Sequence, residues 1–117
     1  MKKYDLSFLK DYFNDDQASI EMILRMYLDE TPKEISAIET SLLNEDISGA
    51  KAATHKLKAN VAMLGLHDST SFIDNIHLLE PSDSVPEDVR FQFLIFKQEV
   101  LSALEEIKAD FFQAPLP

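Results

Sequence analysis

Residues 17–44 read QASIEMILRMYLDETPKEISAIETSLLN, and their apolar spacing decides the fold class. Ile20, Ile23, Leu24, Tyr27 and Leu28 follow one another at steps of 3, 1, 3 and 1 residues. That spacing places all five on one face of a helix of period 3.6. Ile35, Ile38 and Leu42 continue the stripe. Between the two halves, Thr31-Pro32-Lys33-Glu34 has the form of a capping box with Pro at the first helical position, so a helix can start there. The segment is therefore one long helix kinked near Pro32, or two helices meeting there. The spacing fits both.

The same reading extends in both directions. Asn44-Glu45-Asp46 is a turn that can cap the next helix, which runs from about Ile47 to Leu64. Gly65 follows where a left-handed C-terminal cap wants glycine. A shorter helix covers about Asp68 to Leu79, with Phe72, Ile73, Ile76 and Leu79 inward. Residues 80–86 form a Pro/Ser-rich loop, and Ser84 to Glu87 makes a second capping box. In the last helix Val89, Phe93, Phe96, Val100, Ala103 and Ile107 alternate steps of 4 and 3, a seam for antiparallel packing. That helix should run some 25 residues, about 40 Å at ~1.5 Å per residue. Its Phe91, Phe93 and Phe96 read as core rather than as a cofactor box. Leu6 to Phe13 reads as a short additional helix laid across one end. No segment has strand periodicity. The expectation is an all-α protein, an antiparallel up-down four-helix bundle with a short N-terminal helix, forming a single domain over residues 1–117.

Composition narrows the function classes. The chain has 117 residues, 45% hydrophobic and 27% charged, which suits one folded domain with one core. It has no cysteine, which excludes a disulfide scaffold, a thiolate metal site and a cysteine nucleophile. The net charge of −10 argues against binding nucleic acid or an anionic membrane surface. No apolar run approaches the roughly 20 residues that span a bilayer. Met-Lys-Lys-Tyr-Asp at the start is followed by no hydrophobic signal region. A soluble cytoplasmic protein is expected.

One segment breaks the acidic pattern. From Ile47 to His67 there are 21 residues without Asp or Glu, and the same window holds Lys51, Lys56, Lys58, His55 and His67. On its helix, Ala50, Ala53, Leu57, Val61 and Leu64 lie within about 60° of one direction, and this is the core face. His55 points away, about 160° from Leu57 on the same count. Its outer-face neighbours are Ser48, Lys51, Lys58, Ala59 and Ala62. A solvent-facing imidazole is flanked by lysines at i−4 and i+3, and small residues at i+4 and i+7 leave it open to another molecule. A neutral imidazole can attack a phosphoryl group in line and carry it as phosphohistidine. The transition state is loose and anionic, so catalysis is mostly positioning and cationic stabilisation.

The chain has no carboxylate cluster for Mg²⁺ near His55 and no Gly-rich phosphate loop, so metal and acyl phosphate must come from a partner. It reads as a phosphocarrier rather than a kinase. A metal reading is weaker: Asp74 and His77 make one i, i+3 pair, whereas di-iron bundles need two such pairs and two further inward Glu. Neither a metal nor a cofactor is expected on this chain. His67 reads as helix-entry chemistry, and Met63 as packing at the rim of a docking surface.

Thr54-His55-Lys56-Leu57-Lys58-Ala59-Asn60, followed by Met63-Leu64-Gly65-Leu66, resembles the signature of histidine-containing phosphotransfer (HPt) domains. That motif has the phosphorylated His, an apolar residue at i+2, Lys at i+3, a small residue at i+4, and Leu-Gly at i+9 and i+10. Asp29-Glu30-Thr31-Pro32 also resembles the family's pattern in the preceding helix. The resemblance covers the whole chain. It implies that His55 is phosphorylated, that Lys58 contacts the phosphoryl oxygens and that Ala59 gives a receiver domain clearance. Ala59 stands where the family most often has Gly, so one methyl tightens the approach. His77 falls one helix on, where the family often has a polar side chain near the active His. A hydrogen bond from it to the non-reacting nitrogen of His55 would fix the tautomer.

Lys51 and Lys56 would add long-range attraction. The docking patch is expected to include Leu9, Tyr12, Ala59 and Ala62. Implied partners are response-regulator receiver domains, which carry the Mg²⁺, and a hybrid sensor histidine kinase, with the carrier itself a monomer. The alternative is a helical-bundle adaptor that binds a receiver or another signalling protein without being phosphorylated.

Overall fold

The computed structural model describes residues 3–66 and 70–112, and the expected helix entry at His67 and Asp68 lies outside the described residues. Five helices follow in order: α1 (Ser7–Tyr12), α2 (Gln17–Leu43), α3 (Ile47–Met63), α4 (Thr70–His77) and α5 (Glu87–Phe111). Among the described residues there is no strand. α2 packs on α3 and α5, and α4 packs on the same two, so a helical bundle closes around one core. No helix of the described residues is long and apolar enough to cross a membrane.

α2 runs unbroken through Pro32, so residues 17–43 are one helix and Thr31 caps nothing. Its buried residues are Ile20, Leu24, Tyr27, Thr31, Ile35, Ile38 and Leu42, a stripe that keeps phase across the proline. Pro32 itself is exposed. It removes one backbone donor, at a cost of about 3 kcal/mol in a helix interior. Burial on both sides outweighs that, since each fully buried Leu or Ile contributes about 1.5–3 kcal/mol. The local signal for a start loses to the continuous apolar face, and the Thr31 hydroxyl is left buried without a partner.

The caps of α3 behave as expected. The Asp46 carboxylate accepts from the Gly49 N–H at 2.9 Å. At the other end the Leu66 N–H donates to the Val61 carbonyl and the Gly65 N–H to the Ala62 carbonyl, both at 3.0 Å. With Gly65 at φ +75°, this is a Schellman cap. A Cβ on Gly65 would lie 2.6 Å from the Asp5 Cβ, because the N-terminal segment crosses there and the Asp5 N–H donates to the Leu64 carbonyl at 2.8 Å. The glycine thus serves both the turn and the close crossing.

α5 starts at Glu87 behind Pro86, with no side-chain cap, so Ser84 does not form the expected capping box. The extended Pro86 already sets the chain direction, and Glu87 and Asp88 complement the positive end of the helix dipole. Phe93 and Phe96 are buried and pack at a tilt against the Phe72 ring of α4. Phe91, expected in the core, is 65% exposed. The seam steps from Val89 to Phe93, and a residue two places before Phe93 points to the other side.

Cross-helix pairs register the bundle. Arg90 donates to the Leu42 carbonyl at 2.9 Å and to Glu45 at 2.6 Å, and Lys97 bonds Glu39 at 2.8 Å. At the other end Arg25 of α2 lies 4.4 Å over the Phe112 ring. Glu45 also accepts from the Val85 N–H at 2.6 Å. That backbone bond, helped by Arg90, holds its carboxyl below the usual range despite some desolvation.

Candidate functional site

α3 carries the site because its two faces differ. Ala50, Thr54, Leu57 and Val61 are buried, whereas His55, Lys58, Ala59 and Ala62 are exposed. The helical count placed His55 outward, and it lies outward. α4 brings His77 alongside: the two imidazoles have centroids 6.4 Å apart and meet edge-on at 77°.

No hydrogen bond joins the two rings among the described residues. The His77 Nε2 lies instead 3.4 Å from the Thr54 hydroxyl, which sits within bonding distance of the Ala50 carbonyl at 2.9 Å and the Lys51 carbonyl at 3.1 Å. Thr54 is fully buried, so its hydroxyl is a fixed post against which His77 can rest. With the hydroxyl hydrogen on a carbonyl, the Thr54 oxygen is left to accept from the tautomer of His77 that carries its hydrogen on Nε2. The expected contact of His77 with the His55 nitrogen is therefore replaced by one with the residue beside it.

Lys58 Nζ lies 3.3 Å from Oδ1 of Asp74 on α4. The acid-free window in the sequence is thus not acid-free in space. Lys51 is half-buried on the same side of α3. Lys56 is exposed but faces α2, where it lines a groove with Glu30, Lys33, Glu34 and Gly49. Burial and then Glu30 push the Glu34 carboxyl up, and Lys56 opposes them. So Lys56 serves the α2 side and is not gathered around His55.

Next to the histidine, Ala59, Ala62 and Met63 of α3 join Asp5, Ser7, Phe8 and Gly65 around a shallow groove of about 440 Å³. Of the docking residues expected from the N-terminal helix, Tyr12 is 70% exposed, but Leu9 is 1% exposed and belongs to the core. Leu6 and Leu9 bury their side chains three residues apart, which turns Phe8, at 54% exposure, to the surface. The period of Leu6, Leu9 and Phe13 carries that signal. The sequence singled out Asp74 only in a weak metal pair and Thr54 only as part of the motif, and gave neither its role here. Their roles depend on α4 lying against α3, which no local spacing records. Among the described residues no group of three or more His, Asp or Glu comes together as metal ligands would.

No curated protein and no solved structure is significantly similar to this chain. The family model described as "Hpt domain" matches residues 22–110, from the first turns of α2 to the end of α5, with the His55 face in its middle. The match takes in well over half of the chain. The chain belongs to the Hpt domain family, the phosphocarrier modules, not kinases, through which two-component phosphorelays pass phosphoryl groups by way of histidine.

Proposed function

We propose that His55 is the phosphoryl-carrying residue. It takes the group from an aspartyl phosphate of one receiver domain and hands it to the aspartate of another. The observation that carries this reading is the exposed imidazole with Lys58 one turn away and the small residues Ala59 and Ala62 following it on the same face, within the family match. The lone pair of the unprotonated ring nitrogen forms the P–N bond. The P–O bond to the receiver breaks, and the aspartate carboxylate leaves with the electron pair. The other ring nitrogen keeps its hydrogen. Onward transfer runs the same exchange in reverse on the second receiver. Lys58 supplies positive charge for the phosphoryl oxygens, which an anionic, loose transition state requires. Mg²⁺ comes with the receiver. His77, held by Thr54, borders the ring and limits its tilt, and Lys51 adds charge on that side.

The groove formed by Phe8, Ala59, Ala62 and Met63, with Tyr12 nearby, is the surface on which a receiver would rest. The bundle is antiparallel and up-down, with α1 across one end, a reading supported by the pairs Arg90–Leu42, Lys97–Glu39 and Arg25–Phe112. The carrier works as a monomer in the cytoplasm, supplied by a hybrid sensor histidine kinase. The test is incubation with a phosphorylated receiver and Mg²⁺. Wild type acquires an acid-labile, base-stable label, and His55→Ala acquires none. Equal behaviour of the two proteins would sink the carrier reading, and receiver binding without label would favour the adaptor.

A further inference from the structure

Two helices face each other across the site with matched pairs. α3 presents His55 and, three residues on, Lys58. α4 presents Asp74 and, three residues on, His77. The facing is such that imidazole meets imidazole at 6.4 Å and ammonium meets carboxylate at 3.3 Å. The cation assigned to the phosphoryl group is therefore already paired. Both partners are more than half exposed, at 52% and 58%, so the pair is exchangeable and not locked in the core. A phosphoryl group on His55 lies one helical turn from Lys58 and competes with Asp74 for the same ammonium.

We propose that Asp74 is a positioning residue that acts through Lys58: it holds the ammonium as a resting counterion and so weakens the grip of His55 on its phosphoryl group. The inference rests on the carrier reading above. Without Asp74, phosphorylation would add an anion to an unpaired lysine. With Asp74, phosphorylation exchanges one anion for another, and the stabilisation of phosphohistidine is smaller by the strength of the displaced pair. A relay intermediate benefits from this, because a tightly held group is slow to leave. Exposed ion pairs are worth a factor of about one-and-a-half to five in an equilibrium, and salt weakens them.

The experiment measures the equilibrium ratio of label on this protein to label on a phosphorylated receiver, at low and high salt. Asp74→Asn should raise that ratio about one-and-a-half to fivefold and slow release to a second receiver. Asp74→Glu should stay near wild type. The Asp74→Asn gain should vanish in a Lys58→Ala background and shrink at high salt. Glu105→Gln removes the same charge from the α2–α5 side and should leave the ratio unchanged. An unchanged or lower ratio in Asp74→Asn, with wild type labelled, overturns the inference, as does a gain that survives undiminished in Lys58→Ala. Wild type that takes no label dependent on His55 overturns the carrier reading and the inference with it.

Discussion

Leu57 and Lys58 are neighbours in sequence and opposites in role. Leu57 is fully buried, while Lys58 reaches over the surface to Asp74. Removing the Leu57 side chain leaves a void that its packed neighbours cannot fill. Leu57→Ala should lower stability by about 2–5 kcal/mol, read as a fall in the urea midpoint. Lys58→Ala should leave the midpoint within about 1 kcal/mol, because an exposed ion pair is worth no more than that. Its effect should show instead as slower phosphoryl transfer. A loss of helical circular dichroism in Lys58→Ala would contradict the face assigned to it. Ala59 illustrates the same scale: one methyl beside the imidazole narrows the approach, yet the residue is exposed and bears nothing structural.

At the scale of elements, α2 shows how a packed face overrides a local signal. Thr31-Pro32-Lys33-Glu34 can begin a helix, but residues on both sides bury the same stripe against α3 and α5. Starting a new helix at Thr31 would break the phase of that stripe. Pro32 is therefore carried as a defect on the exposed side. Pro32→Ala restores the missing N–H and should raise stability by about 1–3 kcal/mol, again read from denaturant unfolding. A lower midpoint would mean that the packing depends on the proline. α1 makes the complementary point. It is a single six-residue turn and a half, too short to hold alone, and it persists because Leu6 and Leu9 are buried beneath it.

The whole molecule is tied at its ends by titrating groups, so its stability should fall at both extremes of pH. Tyr4 donates to Asp110 at 2.5 Å, and the Lys3 N–H donates to Glu106 at 3.0 Å, which fastens the N-terminal segment to α5. Burial first, then the bond to Asp110 and the charges of Asp110 and Glu106, push the Tyr4 hydroxyl up to about 12. A raised value favours the protonated fold, so this contribution is whole below the ordinary tyrosine value of about 10 and is lost as pH rises through about 12. Glu45 is lowered, so its contribution is whole above the ordinary glutamate value of about 4.3 and disappears as pH falls through its lowered one. Tyr4→Phe should abolish the phenolate absorbance step near pH 12 while the protein stays folded. Persistence of that step would assign it to another tyrosine.

At this scale the division between sequence and structure is also visible. Helix identity, the core face of α3, the caps at Asp46 and Gly65 and the outward His55 were all legible in the sequence, because each is set by residues within a few turns of one another. The continuity of α2, the burial of Leu9, the exposure of Phe91, the Thr54 support for His77 and the Asp74 partner of Lys58 were decided only in three dimensions. Helical periodicity says which way a side chain points, and only the packing of a second helix says what it meets there.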